Sequence, residues 1–470
     1  MRLTGFITIM FGLGVLWVAP LQAADRAAAR QSLQNATSFL RSISTNGGYV
    51  GIYSPDLKER YGEALYERAS GTQIWVQPPG TPSVGQVFLR AYRVTGEQRY
   101  LDAAREVGRA LAWGQRKEGG WDHRVDVAHL SPDAKTPERK SGHCTFDDDI
   151  TQGAITFLME LDQKLDEPWL EDSVQLALEF MMEAQFDNGA WPQWYPLRGG
   201  YHDYYTYNDN AINDCIRVML EAHRLYHEPV YLESARDGGD FIIASQLPAP
   251  QAGWAQQYSH DLEPAWARGF EPPGVCSAAT ARNMRTLIEL YLYTGSEKYL
   301  RPIPDAIDWL NRSKLAAEDI LESEVGQSVD DDDAFWARLY EVQTNKPVYG
   351  DRENPREMIY DIREVSEKER SSYGWQGTFG VPGAIRYYRK VKQQGRKEIL
   401  RQRRQTPSEQ RLKQRAASLE PRVDQVISRL DPKGFWLTDG MLRIGTFVRN
   451  MNLLCDFLEC SRSGSSSDAD

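Results

Sequence analysis

The segment from Val84 to Trp121 reads VGQVFLRAYRVTGEQRYLDAAREVGRALAWGQRKEGGW. Its apolar residues recur every three to four positions, which is the period of an amphipathic helix. A short polar link around Gly96 interrupts this pattern once, and the glycine pair before Trp121 ends it. The segment therefore predicts a helical hairpin that runs into a glycine-aromatic loop.

The same unit repeats along the chain. Glycine-aromatic loops end at Tyr49, Trp121, Trp191 and Trp254, at intervals of 63 to 72 residues. Helical hairpins that repeat with such a period stack side by side into a superhelix or a ring. We therefore expect an all-α dominated fold, a toroid of helical hairpins. A pure scaffold would satisfy the repeat equally well, so the repeat alone predicts no chemistry.

The composition is that of a folded globular protein, because 41% of the 470 residues are hydrophobic and 26% are charged. The net charge of −11 argues against a general field that attracts nucleic acid or anionic membranes. An anionic substrate would need a local basic patch or a bridging metal cation.

The chain divides into four regions. Residues 1–24 contain an apolar run followed by small residues, which predicts a cleaved signal peptide and a secreted or periplasmic protein without a membrane anchor. A retained anchor is the weaker alternative, because a spanning helix needs about 20 apolar residues. We assign 25–313 to the toroid repeats, 314–460 to a C-terminal region with accessory elements and closing helices, and 461–470 to a disordered tail.

For three further features of the sequence, a structural interpretation is favoured over a functional one. The acidic run 330–333 is typical of a solvated loop or helix start, and the basic segment 386–415 of an exposed helix or linker, with nucleic-acid binding as the less favoured alternative. The five cysteines are an odd number, so at least one is unpaired, and buried structural thiols are favoured.

Polar clusters precede successive predicted helices. Asp147, Asp148 and Asp149 precede a helix predicted over 150–165, and Asn208, Asp209 and Asn210 precede one over 211–225. Arg268 precedes a helix that opens at Ser277. Since equivalent positions of stacked hairpins lie at one end of the stack, we expect Asp147, Asp209 and Arg268 to converge there.

Helix capping is the simplest role for each cluster, worth about 0.5 to 2 kcal/mol. Capping needs one such residue, however, and three consecutive aspartates repel one another unless a cation binds among them. Carboxylates with asparagine nearby are hard oxygen ligands suited to Ca²⁺. The candidate ligands are Asp147, Asp148 and Asp209.

Residues 191–205 form an aromatic loop, here defined as WPQWYPLRGGYHDYY. The loop lacks a helical period, and aromatic rings beside arginine and aspartate suit a saccharide. Trp194, Arg198 and Tyr201 are its candidate contacts. The alternative is an aromatic cluster that only covers the end of the toroid.

Several ordered segments resemble the signatures of the family 10 polysaccharide lyases, which are pectate lyases. These segments are Phe146 to Thr151, Asn188 to Leu197, Tyr207 to Ala211, Ala267 to Glu271, Trp336 to Tyr340, Thr344 to Pro347, Asp351-Arg352, and Asp439-Gly440 to Arg449-Asn450. The family usually has Asn at the position of Asp148 and small residues at the next two positions.

The resemblance implies an incomplete α/α toroid with a smaller second domain that forms one wall of a substrate groove. It also implies Ca²⁺-assisted anti β-elimination on polygalacturonate or a related uronate polysaccharide. Carried over by position, Asp147 and Asp209 bind Ca²⁺, Arg268 is the base, and Arg352 contacts a substrate carboxylate. Asn208 and Arg338 lie in resembling segments and complete the candidate substrate contacts.

An arginine base requires a lowered pKa, since guanidinium normally titrates at about 12.5 to 13.8. We expect burial and the bound cation to lower it, so that alkaline conditions favour turnover.

Two other functions fit the same residues. An inverting glycoside hydrolase would use Asp147 and Asp209 as acid and base, with carboxylates about 6.5 to 9.5 Å apart, and would need no Ca²⁺. A non-catalytic glycan-binding protein would give no product. Whichever function holds, we expect a monomer.

Overall fold

The computed structural model describes residues 25–128, 138–321 and 334–461. The predicted signal peptide, the acidic run 330–333 and residues 462–470 of the predicted tail lie outside the described residues. In the described part of the chain, no helix is long and apolar enough to cross a membrane.

Helices dominate the described structure, and the predicted helix starts at Ile150, Ala211 and Ser277 are confirmed. The α-helices are α1 (Arg26–Ile43), α2 (Thr81–Thr95), α3 (Gln98–Gly114), α4 (Ile150–Asp162), α5 (Pro168–Glu183), α6 (Ala211–Tyr226), α7 (Pro229–Ala244), α8 (Ser277–Thr294), α9 (Ile303–Arg312), α10 (Glu367–Ser372), α11 (Val381–Arg404), α12 (Glu409–Ser428) and α13 (Ile444–Cys460).

The helices are arranged as a ring of hairpins. Helix α2 packs on α3, α4 on α5, and α6 on α7, and the first helices of these hairpins pack on one another in the order α2, α4, α6, α8. Helix α11 packs against α8, while α13 packs against both α1 and α2. The chain therefore returns to its start, and Arg26 Nη1 donates a hydrogen bond to the Ser461 carbonyl at 2.7 Å.

The aromatic residues that end the glycine-aromatic loops belong to the core. Trp121, Trp191 and Trp254 are fully buried. The indole N–H groups of Trp121 and Trp191 donate to the carbonyls of Leu111 and Met181, near the end of the preceding helix. Each loop thus fixes the end of one hairpin, and its aromatic residue is structural.

Short strands join the helices. They are β1 (Ile52–Tyr53), β2 (Arg60–Tyr61), β3 (Gln73–Trp75), β4 (Arg124–Asp126), β5 (Cys144–Thr145), β6 (Trp194–Tyr195), β7 (Tyr205–Thr206), β8 (Trp254–Ala255), β9 (Gln257–Tyr258), β10 (Val275–Cys276), β11 (Trp336–Ala337), β12 (Leu339–Tyr340), β13 (Pro347–Asp351), β14 (Asn354–Ile359), β15 (Gln376–Gly377) and β16 (Leu442–Arg443). Five of them form an antiparallel sheet in the order β14-β13-β12-β10-β8, which joins the repeats to the C-terminal region.

The basic segment 386–415 is part of the folded ring. It lies in α11 and α12, and Arg396 donates to the carbonyls of Leu292 and Tyr293 at the end of α8. Arg403 forms an ion pair with Glu289 of α8 at 2.7 Å. The exposed-helix interpretation is therefore confirmed over the linker, because most residues of the segment are helical and exposed, and its arginines bind acceptors that the neighbouring helix presents. The prediction of buried thiols is confirmed, since all five cysteines are free and buried.

Candidate active site

Two short 3₁₀ helices present the acidic clusters. The first spans Asp147–Asp149 and lies directly before α4, and the second spans Asn208–Asn210 and lies directly before α6. In both segments the second and third residues have left-handed backbones, with φ of 47° and 58° in the first segment and 46° and 66° in the second. Aspartate and asparagine tolerate this conformation better than most residues.

The repeated backbone corrects the expected correspondence between the two clusters. Asp148 matches Asp209, while Asp147 matches Asn208, so the pairing of Asp147 with Asp209 was wrong by one residue. Arg268 lies in an irregular loop that precedes β10, and α8 begins directly after β10 at Ser277, as expected. Identical side chains suggested that Asp147 pairs with Asp209, whereas the backbone conformations pair Asp148 with Asp209.

The three candidate ligands nevertheless converge. One carboxylate oxygen from each of Asp147, Asp148 and Asp209 lies within 4.8 Å of the others. Among the described residues, Asp147 Oδ1 is buried and has no hydrogen-bond partner. A buried carboxylate oxygen without a partner beside two other carboxylates fits a hard divalent cation.

Burial and mutual repulsion shift the titration of this cluster. Burial, with the charges of Asp209 and Asp148, raises the pKa of Asp147 to about 8. Burial, with the charges of Asp209 and Glu63, raises the pKa of Asp148 to about 6. Like charges therefore oppose one another in the metal-free cluster, and a cation would relieve that cost.

Arg268 borders the acidic cluster. Its Nη2 lies 3.4 Å from Asp209 Oδ2 and 4.0 Å from Asp147 Oδ2. Burial by itself lowers the pKa of Arg268, as we expected, but the charges of Glu271, Asp147 and Asp209 outweigh burial and raise it. In the metal-free protein the side chain is thus held as a guanidinium ion.

A buried carboxylate that the sequence analysis did not assign holds the Arg268 loop. Glu271 Oε2 accepts from the Arg268 backbone N–H at 3.1 Å, and its Oε1 accepts from Tyr373 at 2.7 Å and Gln256 at 3.0 Å. The available signal was a carboxylate three residues after Arg268 in a segment without helical period.

Arg338 and Arg352 lie on aromatic rings beside this loop. The Arg338 guanidinium is 4.5 Å from the centre of the Tyr373 ring, and its Nε donates to the Gly374 carbonyl. Arg352 stacks on Phe270 at 3.7 Å and forms a 2.5 Å ion pair with buried Glu369. Both side chains are positioned, and half of the Arg352 side chain remains exposed.

The aromatic loop is joined to the acidic cluster. Strand β6 pairs with β5, which sets Trp194 opposite Thr145, two residues before Asp147. The Trp194 ring stacks on His202 at 3.6 Å, and Tyr201 contacts the same histidine at 3.8 Å.

Two other predicted contacts differ in exposure. Arg198 is exposed, and its backbone N–H donates to Asp203 within the loop. Asn208 is buried, and its amide donates to Asp209 Oδ2 at 2.7 Å. The structure therefore places Asn208 beside a candidate metal ligand, where it orients that carboxylate.

A second residue without a predicted role contacts the cluster from the N-terminal part of the chain. The Gln77 amide donates to Asp148 Oδ2 at 2.8 Å and to Glu63 at 3.3 Å. No pattern in the sequence around Gln77 marks it, because the contact joins residues that are far apart along the chain.

A family model described as pectic acid lyase matches residues 115–382. A family 10 polysaccharide lyase from Cellvibrio cellulosa has 22% sequence identity and a TM-score of 0.51, covering 65% of this chain and 95% of that chain. A mutant of that lyase in complex with trigalacturonic acid gives the same identity and TM-score, covering 66% and 97%.

These two structures share the fold of this chain, which confirms the all-α dominated toroid. No curated protein matches the chain. Because the family model spans more than half of the 470 residues, this protein belongs to the pectic acid lyase family and is a lyase.

Proposed function

We propose that the protein cleaves polygalacturonate, or a closely related uronate polysaccharide, by Ca²⁺-assisted anti β-elimination. The observation that carries the proposal is the convergence of Asp147, Asp148 and Asp209 next to Arg268. The family supports the reaction class, and the similar lyase complexed with trigalacturonic acid supports the substrate.

In this reaction a base takes the C5 proton of a uronate, a C4–C5 double bond forms as the bond from C4 to the glycosidic oxygen breaks, and the departing oxygen takes up a proton from solvent water. The products are 4,5-unsaturated oligogalacturonates. When bound, Ca²⁺ neutralises the uronate carboxylate and so makes the C5 proton more acidic. The residues that would hold it are Asp147, Asp148 and Asp209.

The chain's own residues position the base. Glu271 fixes the Arg268 loop through the backbone N–H, so the guanidine group is held beside the cluster. Asp147 and Asp209 are also two of the groups that keep Arg268 charged. Cation binding by these aspartates would offset their charges and so lower the pKa of Arg268. We therefore assign the neutral form of Arg268 to proton removal at C5, and Arg338 and Arg352 to substrate carboxylates.

The tight cluster favours a lyase over the inverting hydrolase. One carboxylate oxygen from each of its residues lies within 4.8 Å of the others, whereas an inverting pair stands about 6.5 to 9.5 Å apart to admit a water molecule. A glycan-binding protein without activity would form no product at all.

The test is incubation of the purified protein with polygalacturonate, with Ca²⁺ or with a chelator. We expect an ultraviolet-absorbing unsaturated product with Ca²⁺ and its loss with chelator. Saturated products formed despite the chelator would establish the hydrolase instead. Export through the predicted signal peptide and a monomeric state remain parts of the proposal that rest on the sequence.

A further inference from the structure

A pocket adjoins the acidic cluster on the side of Asp148. Its volume is about 190 Å³, and it is lined by Gly51, Ile52, Gly62, Glu63, Trp75, Gln77, Pro78, Pro79, Arg443, Gly445, Thr446 and Arg449. Pockets for drug-sized ligands span about 300 to 1,000 Å³, so this one suits a single sugar unit. None of its residues lies in the segment that the family model matches.

The pocket is linked to the candidate metal site through Gln77. Gln77 lines it, and the amide of Gln77 also donates to Asp148 at 2.8 Å. Asp209, in contrast, faces Arg268. A sugar in the pocket would therefore lie on the Asp148 side of the cluster, whereas Arg268 lies on the Asp209 side.

Two guanidinium groups give the pocket its chemistry. Arg443 is held by the pairing of β16 with β1, and its Nε is buried without a hydrogen-bond partner among the described residues. Arg449 is exposed on the first turns of α13 and donates to the Thr446 hydroxyl at 3.1 Å. A guanidinium has five N–H donors, so both groups can still bind a carboxylate.

The acidic groups near Arg443 and Arg449 do not neutralise the positive charge of these two side chains. Glu63 is the one carboxylate in the lining, and it accepts from Gln77. Asp439 lies 3.8 Å from Arg443, but 79% of its side chain is exposed, where an ion pair is weak. The lining thus has two cations and one anion.

We propose that this pocket is a uronate-binding subsite, in which Arg443 and Arg449 bind the carboxylate of a sugar next to the one at the acidic cluster. The proline rings of Pro78 and Pro79 offer an apolar wall for the sugar face. The inference rests on the proposed function, because it assumes a polymer with one carboxylate per sugar.

The test uses variants that remove charge and keep the aliphatic stem. Arg443→Met with Arg449→Met should raise KM for polygalacturonate at least tenfold and leave kcat within twofold, since the subsite lies outside the reacting sugar. Arg422→Met, which removes an exposed arginine on α12 outside the pocket, is the matched control. A double variant with the KM of this control would overturn the proposal.

Binding calorimetry tests whether the pocket recognises the sugar carboxylate. In an Arg268→Ala background, which prevents cleavage, and with Ca²⁺ present, the double variant should lose at least tenfold in affinity for oligogalacturonates but bind their carboxyl-reduced counterparts like the Arg268→Ala protein. Equal losses for both ligands would refute carboxylate recognition. If circular dichroism shows that the double variant is unfolded, Arg449→Met alone decides, with at least a threefold loss expected and an unchanged affinity counting against the subsite.

The two proposals fail separately. If the wild-type protein forms no unsaturated product, the proposed function is wrong, while calorimetry still tests the pocket. If product forms and the variants match the wild type, only the subsite is wrong.

Discussion

At the scale of single residues, Asp147 is buried among like charges, and one of its oxygens lacks a hydrogen-bond partner in the described structure. We predict that Asp147→Asn raises the free energy of unfolding of the chelated protein by about 1 to 3 kcal/mol, because it removes a buried carboxyl group whose ionisation is opposed by burial and by the charges of Asp209 and Asp148. The same change should abolish Ca²⁺-dependent turnover and the stabilisation that Ca²⁺ gives the wild type.

Thermal melting with and without Ca²⁺ checks this prediction. Asp162→Asn, which alters a carboxylate at the end of α4 away from the cluster, is the control. A variant that retains Ca²⁺ stabilisation would remove Asp147 from the metal site.

Arg268 is the second decisive residue. Arg268→Ala should lower kcat by about 10² to 10⁴-fold and leave oligogalacturonate binding intact, since a proton-transfer group acts mainly in the transition state. Arg268→Lys keeps the charge but changes shape and basicity, so partial recovery would separate charge from geometry. Steady-state kinetics and calorimetry measure both effects.

A different kinetic pattern would reassign Arg268. If either substitution raises KM and largely retains kcat, Arg268 binds a substrate carboxylate. Arg198, Arg338 and Arg352 would then be the remaining candidates for the base.

At the scale of elements, the starts of α4, α6 and α8 could be predicted from the sequence, whereas the alignment of the acidic clusters with each other could not. Ile150, Ala211 and Ser277 open helices as expected, because apolar periodicity and the preceding loops mark these starts. The predicted alignment of the two clusters was wrong by one residue, because the left-handed backbone conformation that Asp148 and Asp209 share has no unique sequence signature.

Contacts between distant segments account for what the sequence could not predict. Glu271 meets Tyr373 across 102 positions, and Gln77 meets Asp148 across 71. Neither contact leaves a periodic or local pattern, because it depends on how the ring brings separate loops together. The convergence of the cluster was predictable only because it follows from the repeat.

The aromatic loop is the element where packing and binding compete. We predict that Trp194→Ala or Tyr201→Ala weakens pectate binding and lowers stability by only about 0.5 to 1.5 kcal/mol, the value of a ring contact such as those with His202. Affinity electrophoresis in pectate and thermal melting measure the two effects. A large drop in melting temperature with unaltered binding would show that the loop only covers the toroid.

At the scale of the whole molecule, the last helix, α13, packs against the first two helices of the chain, α1 and α2. This helix buries Phe447, Leu454 and Leu458. We predict that a chain ended after Arg404 does not fold, because losing several such side chains at about 2 to 5 kcal/mol each exceeds the usual stability of about 5 to 15 kcal/mol.

Circular dichroism during heating checks this prediction. A chain ended after Ser461 keeps α13 and should melt cooperatively, like the full chain. Cooperative melting of the shorter chain would show that the repeats are stable without the closing helices.

The hydrogen bond between Arg26 and Ser461 means that the described chain starts and finishes at one point of the ring. A short peptide could therefore join these two ends without disturbing a helix. The joined chain could be opened elsewhere, for example between α6 and α7, where His227 and Glu228 form a two-residue connection. The order of helices along such a circularly permuted polypeptide would change while their neighbours in space stayed the same, so the architecture is defined by its cycle of contacts and has no intrinsic first repeat.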